Sequence, residues 1–166
     1  MFRTQSKRYM QRPWNLPSYP VYSLATQQGD HVNMNICTYV SALSMNPKII
    51  GVALYENTKT LDNMLQSEIA ILQLLHRDQL PLVRMLGKKS GMDWDKDAWL
   101  RKKQCMTLWH GHPVLSHCSA YMELTKKENF KTGDHTLFLF EVKRYKSCNS
   151  DVLTTQMLSE KKIIRI

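Results

Sequence analysis

Three short segments carry side chains that could do chemistry. The first is Glu56-Asn57-Thr58-Lys59-Thr60, which runs directly into Leu61, Met64 and Leu65. The i, i+3, i+4 spacing of those three predicts a short amphipathic helix. A helix N-terminus presents unpaired N–H groups and the positive end of a dipole, so anions collect there. Thr58 and Thr60 add hydroxyl donors and Lys59 adds a full charge, which makes a candidate phosphate site; the same residues also fit a plain helix cap beside a solvated lysine. The second segment is residues 33–44, where Asn35, Thr38, Ser41 and Ser44 are interleaved with Met34, Ile36, Tyr39, Val40, Ala42 and Leu43. Neither a strand period nor a helix period fits it. A loop that turns backbone and hydroxyl groups toward a flat heteroaromatic ring has this composition, and so does a strand-to-helix corner. The third is Gly133-Asp134-His135, a turn that opens an apolar strand. His135 can donate to a cofactor or orient a substrate, or it can be a satisfied histidine at a strand edge.

Two further patterns imitate metal sites. His110-x-His112, with His117 nearby, places two imidazoles at i and i+2, but no carboxylate or Cys-x-x-Cys accompanies them, and Gly111 and Pro113 predict a loop. Asp93-x-Asp95-x-Asp97 begins like a calcium loop. It then carries Ala98 where the turn needs Gly, and Gln104 at the twelfth position where a bidentate Glu belongs. No metal is expected.

These segments need a frame. Strands are expected over residues 21–26, 31–36, 49–55, 68–75, 119–125 and 136–146, with a final short strand over 161–166. Helices are expected near 61–65, 79–86 and 93–103, the last with acidic residues in its first turn and Arg101, Lys102 and Lys103 in its last. Residues 49–55 are almost continuously apolar, which predicts a strand buried on both faces. Residues 1–15 read as an irregular arm, and Pro13, Pro17 and Pro20 keep the chain extended after it. The expected class is mainly β, a β-barrel with helical decorations, in a single domain covering residues 1–166.

The chain carries 23 basic and 14 acidic residues, a formal charge of +9. The basic residues are dispersed in small clusters such as Lys88-Lys89, with no nucleic-acid motif around them, so anionic cofactors and substrates are expected rather than nucleic acid. No apolar run approaches the ~20 residues of a membrane span, and no apolar segment follows the basic N-terminus as in a secretory leader. Cys37, Cys105, Cys118 and Cys148 form no Cys-x-x-Cys pair. Free thiols in a cytoplasmic protein are the expectation.

Taken in order, the pieces resemble the flavin reductase-like family, whose fold is the FMN-binding split barrel. The matching residues are Asn33, Thr38, Ser41, Ser44-Met45-Asn46-Pro47, the apolar strand after them, Thr58-Lys59-Thr60 and Gly133-Asp134-His135. The resemblance implies an FMN-binding oxidoreductase that passes reducing equivalents from NADH or NADPH to flavin. It further implies that Asn35, Ile36, Cys37 and Thr38 run along the isoalloxazine and ribityl chain. Thr58, Lys59 and Thr60 would hold the phosphate, with Ser41 on the phosphate side, and His135 would be the catalytic residue near the reactive face. A homodimer with sites near the subunit interface is also implied. The alternative within the same resemblance is a flavoredoxin-like electron carrier without direct use of NAD(P)H. Phe140 stands where family members carry Gly, at a place expected to border the approach of the reductant.

Overall fold

The computed structural model describes residues 12–164. Nearly all of the expected N-terminal arm therefore lies outside the described residues. Its described end is a single 3-10 turn, Pro13–Asn15, with Pro13 at the first position where its missing N–H costs nothing.

The chain is mainly β. In order it forms β1 (Tyr22–Gln28), β2 (His31–Met34), β3 (Val40–Met45), β4 (Lys48–Tyr55), α1 (Lys59–Gln66), β5 (Ile69–Leu74), α2 (Leu80–Lys88), α3 (Lys96–Lys102), β6 (Met106–Trp109), β7 (His112–Leu115), β8 (Ala120–Thr132), β9 (His135–Ser147) and α4 (Thr155–Glu160). Seven strands make one antiparallel sheet in the order β2-β1-β5-β8-β9-β4-β3, and β6 and β7 pair separately. The segment between β2 and β3 closes the large sheet on itself. Cys37 exchanges two backbone hydrogen bonds of 2.9 Å with Tyr22 on β1, and Tyr39 O accepts from Ala53 N on β4 at 2.9 Å. Closure makes a barrel whose seam is irregular backbone rather than a strand ladder.

Two cores result, one on each side of β1 and β5. The barrel interior is filled by Leu24, Val52, Leu54, Leu72, Leu124, Phe138 and Phe140 and capped by Leu61 and Met64 of α1. The outer core lies under the helices, where Val83, Leu86, Leu100 and Leu158 pack against Ala25, Ile71 and β7. Strands β1 and β5 are therefore covered on both faces, and β8 also gives side chains to both cores. β4 is not so covered: Val52 and Leu54 point into the barrel, while Ile49 and Ala53 stay partly open. The expectation of a doubly buried strand at 49–55 fails because the second face is apolar without being covered by protein.

Other differences have local causes. α3 starts at Lys96 with Asp95 as its cap, so Asp93 and Trp94 precede the helix instead of opening it. Residues 110–113 are the turn and start of a β6–β7 hairpin rather than a loop; a proline is tolerated there because both strands of a two-stranded ribbon are edges. Residues 161–164 form turns after α4 rather than a final strand, and residues 165–166 lie outside the described residues. Phe140 is fully buried in the barrel, stacked on Phe138 at 5.8 Å and 19°. It faces the interior and does not border the open side of the sheet.

Candidate functional site

The open face of β4 is the floor of a cleft of about 1020 Å³. Gly51, Ala53 and Tyr55 share that face because side chains alternate along a strand. Leu137 and His135 join them from β9, directly across from Ala53 and Tyr55. A bulge in β3 between Ala42 and Ser44 re-aims Leu43, whose Cδ1 lies where a Cβ on Gly51 would come within 2.9 Å. The result is a smooth apolar surface of small and flat groups.

The seam segment is one wall, and the end of α2 and the loop after it meet that wall. Gly87 packs against Ile36, 3.5 Å from Ile36 Cγ1 to an ideal Cβ. At Gly91 the fit is closer still: a Cβ would collide with Asn33 Oδ1 and lie 3.1 Å from Lys59 Cβ. Glycine is required there by proximity. The loop thus abuts the start of α1.

At that start, Asn57 adopts φ 58° and Thr58 caps the helix. The Thr58 hydroxyl donates to Tyr55 O at 2.8 Å and accepts from Leu61 N at 3.3 Å. The amides of Lys59 and Thr60 follow, where no intrahelical carbonyl is in reach. Thr60 Oγ1 accepts from buried Asn33 Nδ2 at 2.8 Å, so its own proton remains to donate. Lys59 Nζ donates to Gln28 Oε1 at 2.9 Å.

Charge in the cleft is one-sided. Lys59, Lys88, Lys89 and Lys96 line it, and Glu56 is the one carboxylate lining it among the described residues. Glu56 Oε1 accepts from Thr136 Oγ1 at 2.7 Å. Lys96 is only 6% exposed, and its ammonium donates to Leu86 O at 2.6 Å. Burial lowers its pKa from 10.5 to about 8.

His135 stands on the floor between two rings, Tyr39 at 5.1 Å and Tyr55 at 5.2 Å. Its Nδ1 lies 2.7 Å from Asp134 Oδ1. An ionised carboxylate only accepts, so Nδ1 carries the proton and Nε2 is the ring atom left for a ligand.

All the residues nominated from sequence line this one cleft: Asn35, Ile36, Cys37, Thr38, Ser41, Thr58, Lys59, Thr60 and His135. Their circumstances differ. Asn35 Oδ1 is committed to Leu24 N at 2.9 Å and so ties the seam to β1. Burial pushes the Cys37 thiol up to about 12, so it stays protonated and is no nucleophile. Ser41 pairs with Gly51 and thus lies at the floor, roughly 13 Å along β4 from Tyr55 and the turn into α1. Lys96 and residues 87–91, the end of α2 and the turn after it, were missed. Lys96 does carry a signal: a cation in the first turn of a helix opposes the dipole and needs a reason to be there. Among the described residues, no group of three or more His, Cys, Asp or Glu is placed to hold a metal ion.

The chain matches the flavin reductase like domain over residues 15–160. It belongs to that family. Solved structures with the same fold include an FMN-binding protein from Thermus thermophilus with bound 1-cyclohex-2-enone, 23% identical with a TM-score of 0.72 over 89% of this chain and 80% of that one. The flavin reductase PheA2 is also 23% identical, with a TM-score of 0.73 over 90% of this chain and 93% of that one. Flavoredoxin from Methanosarcina acetivorans is 15% identical, with a TM-score of 0.71 over 89% and 76%. No curated protein matches the chain. The family is thus a flavin reductase-like oxidoreductase family.

Proposed function

We propose that the chain binds FMN in this cleft and, as a homodimer, passes reducing equivalents from NADH or NADPH to flavin. The observation that carries the reading is the meeting, in one cleft, of a cationic helix start with an apolar strand floor that ends in the Asp134-held His135. The donor set suits a phosphomonoester: the amides of Lys59 and Thr60, the Thr60 hydroxyl, and the ammonium groups of Lys59 and Lys96. The apolar floor suits the isoalloxazine, with the backbone of residues 35–38 beside it. Bound FMN supplies the hydride or electron chemistry, while the chain positions it and excludes water. His135 Nε2 holds the nicotinamide in place.

Support for two subunits comes from β3, an edge strand that exposes Leu43 and, at 88%, Met45. Apolar edges of this kind call for a cover. Free cysteines at all four positions suit a reducing compartment, so we assign the chain to the cytoplasm. No helix among the described residues is long and apolar enough to cross a membrane.

The test is the absorption spectrum of the purified protein, followed by anaerobic addition of NADH and then NADPH. FMN is expected to bind with micromolar or tighter affinity, roughly −8 kcal/mol. Bleaching by a nucleotide supports the reductase. A flavin that only dithionite reduces makes the chain a carrier, and a colourless protein that takes up no FMN removes both readings.

A further inference from the structure

A second open cavity, of about 930 Å³, lies between the start of α2, the β6–β7 hairpin and the joined ends of β8 and β9. It shares no lining residue with the first cleft. Trp109 and Tyr121, stacked at 5.7 Å and 25°, line it. So do three of the four free cysteines, Cys105, Cys118 and Cys148. Two of these are placed to meet. Cys148 N donates to Ser119 O at 2.7 Å, which carries the β8–β9 ladder one step past the Ala120–Ser147 pair. Cys148 therefore stands opposite Ser119, the immediate neighbour of Cys118. A strand spacing of about 4.8 Å and a rise of about 3.4 Å put the two Cα atoms roughly 6 Å apart. Disulfides span about 4.4–6.8 Å between Cα atoms. Cys105 is otherwise engaged, its thiol donating to Lys103 O at 3.4 Å.

The two thiols differ in access. Cys148 is exposed at the end of β9, whereas Cys118 is 1% exposed at the base of the cavity. Burial pushes the Cys118 thiol up to about 12, although hydrogen bonds with Gln79 and Tyr121 lower it, and charge on Cys148 raises it further. A buried thiolate is costly there, while a disulfide is neutral and apolar and fits the same place.

We propose that Cys148 and Cys118 form an exchange site for a low-molecular-weight disulfide, which leaves them joined to each other. The Cys148 thiolate attacks one sulfur of the small disulfide and expels the other as a thiolate, which takes a proton from water. The Cys118 thiolate then attacks Cys148 Sγ in the mixed disulfide and expels the second small thiol. The protein loses two electrons and two protons, and the small disulfide is reduced to two thiols. The second step is the slow one, because so little of Cys118 is ionised near neutral pH. The product bond ties the base of the long hairpin that carries His135 at its other end. In a reducing compartment the pair rests as thiols and closes when small disulfides accumulate.

The experiment adds oxidised glutathione to the reduced full-length protein. Samples are quenched by alkylation and read by intact mass and peptide mapping. Wild type is expected to pass through a glutathione adduct at Cys148 to a species that has lost two hydrogens and joins the Cys118 and Cys148 peptides. The adduct should resolve about tenfold faster per pH unit between about pH 7 and 9. The joined form should melt roughly 5–10 °C higher than the reduced one, because the bond restricts the unfolded chain. Cys118→Ala should stop at the adduct, Cys148→Ser should form neither species, and Cys105→Ser should behave as wild type. Should Cys118→Ala fail to fold, the wild-type peptide map and Cys148→Ser decide alone. Wild type that halts at the Cys148 adduct overturns the site, as does a bond that joins Cys105 instead. Neither result touches the flavin reading, which rests on other residues.

Discussion

Lys96 offers a quantitative test of the phosphate end. The residue is 6% exposed, its amine donates to Leu86 O, and burial lowers its pKa from 10.5 to about 8. One pKa unit is about 1.36 kcal/mol, so holding this charge costs the fold on the order of 3 kcal/mol below pH 8. The folded pKa lies below the unfolded one. The unfolded chain therefore binds more protons between about pH 8 and 10.5, and stability rises with pH across that window as the penalty is relieved. A phosphate beside the amine stabilises its charged form and raises the pKa again, so FMN binding takes up a proton above pH 8. Affinity is then level just below pH 8 and falls by up to about tenfold per pH unit above it. Lys96→Met keeps most of the stem and removes the charge. It is expected to abolish that slope and to weaken FMN at neutral pH by about ten- to a hundredfold, the worth of a charge-assisted bond of roughly 1.5–3 kcal/mol. Stability of the apo chain should change little. Relief of the buried charge is offset by leaving Leu86 O without its donor, which costs about 1–3 kcal/mol. Flavin fluorescence quenching with FMN and riboflavin over about pH 7–10, plus urea melts, reads all three quantities. Riboflavin has no phosphate and controls for titration of the ring. Equal slopes for the two ligands, or an FMN curve unaltered in Lys96→Met, would refute the placement of this amine at the phosphate.

Lys59 is expected to matter less than Lys96, because it is more exposed and already shared with Gln28. Lys59→Ala should weaken FMN by about tenfold and leave riboflavin unchanged, by the same titration. Gly91→Ala forces a methyl onto Asn33 Oδ1; overpacking of this kind costs about 1–3 kcal/mol in chemical denaturation, and FMN affinity should fall with it. His135→Ala is expected to slow nucleotide-driven bleaching of bound flavin by about five- to a hundredfold in stopped flow while FMN stays bound; an unchanged rate rejects a role for this imidazole. Met45→Asp places a carboxylate on the exposed apolar edge of β3; sedimentation at micromolar concentration should show dimer in wild type and monomer in the variant, and a wild-type monomer that holds FMN rejects the assembly.

The sequence was most legible where one residue type has one use. Gly133-Asp134 signalled the hairpin that delivers His135, and Thr58 signalled the start of α1. It was least legible at edges. β3 reads Val-Ser-Ala-Leu-Ser-Met, and all but its first residue are exposed. A strand with no core face has no period to detect, and a bulge at Leu43 shifts what little alternation there is. α4 spans six residues, too few to show a helical repeat, although Thr154 caps it through a 3.4 Å bond from Met157 N. β4 misled for a different reason: its second apolar face is the open floor of the cleft, which no protein covers. The segment read as a possible loop for a heteroaromatic ring proved to be a seam, whose backbone bonds to Tyr22 and Ala53 close the barrel.

That seam bears on the choice between reductase and carrier. Phe138 and Phe140 stack inside the barrel among fully buried leucines, so side chains fill the interior and the open cleft lies on the outer face. There the one feature of sequence that pointed to a blocked reductant, the bulk of Phe140, is absent, because its side chain faces inward. What borders the floor instead is Tyr39, His135 and Tyr55, and both tyrosines are more than half exposed. Two open rings flanking an imidazole leave room for a second planar ring to lie against a flavin. They also leave that ring half in water, where hydride transfer would compete with access of solvent and oxygen. Tyr39 sits in the seam immediately before β3, and β3 is the edge whose apolar residues call for a partner. A second subunit on β3 would therefore dry the same surface that the nicotinamide needs. Dimerisation and NAD(P)H-dependent reduction should accordingly fail together in Met45→Asp, even though Met45 lies outside the residues lining the cleft.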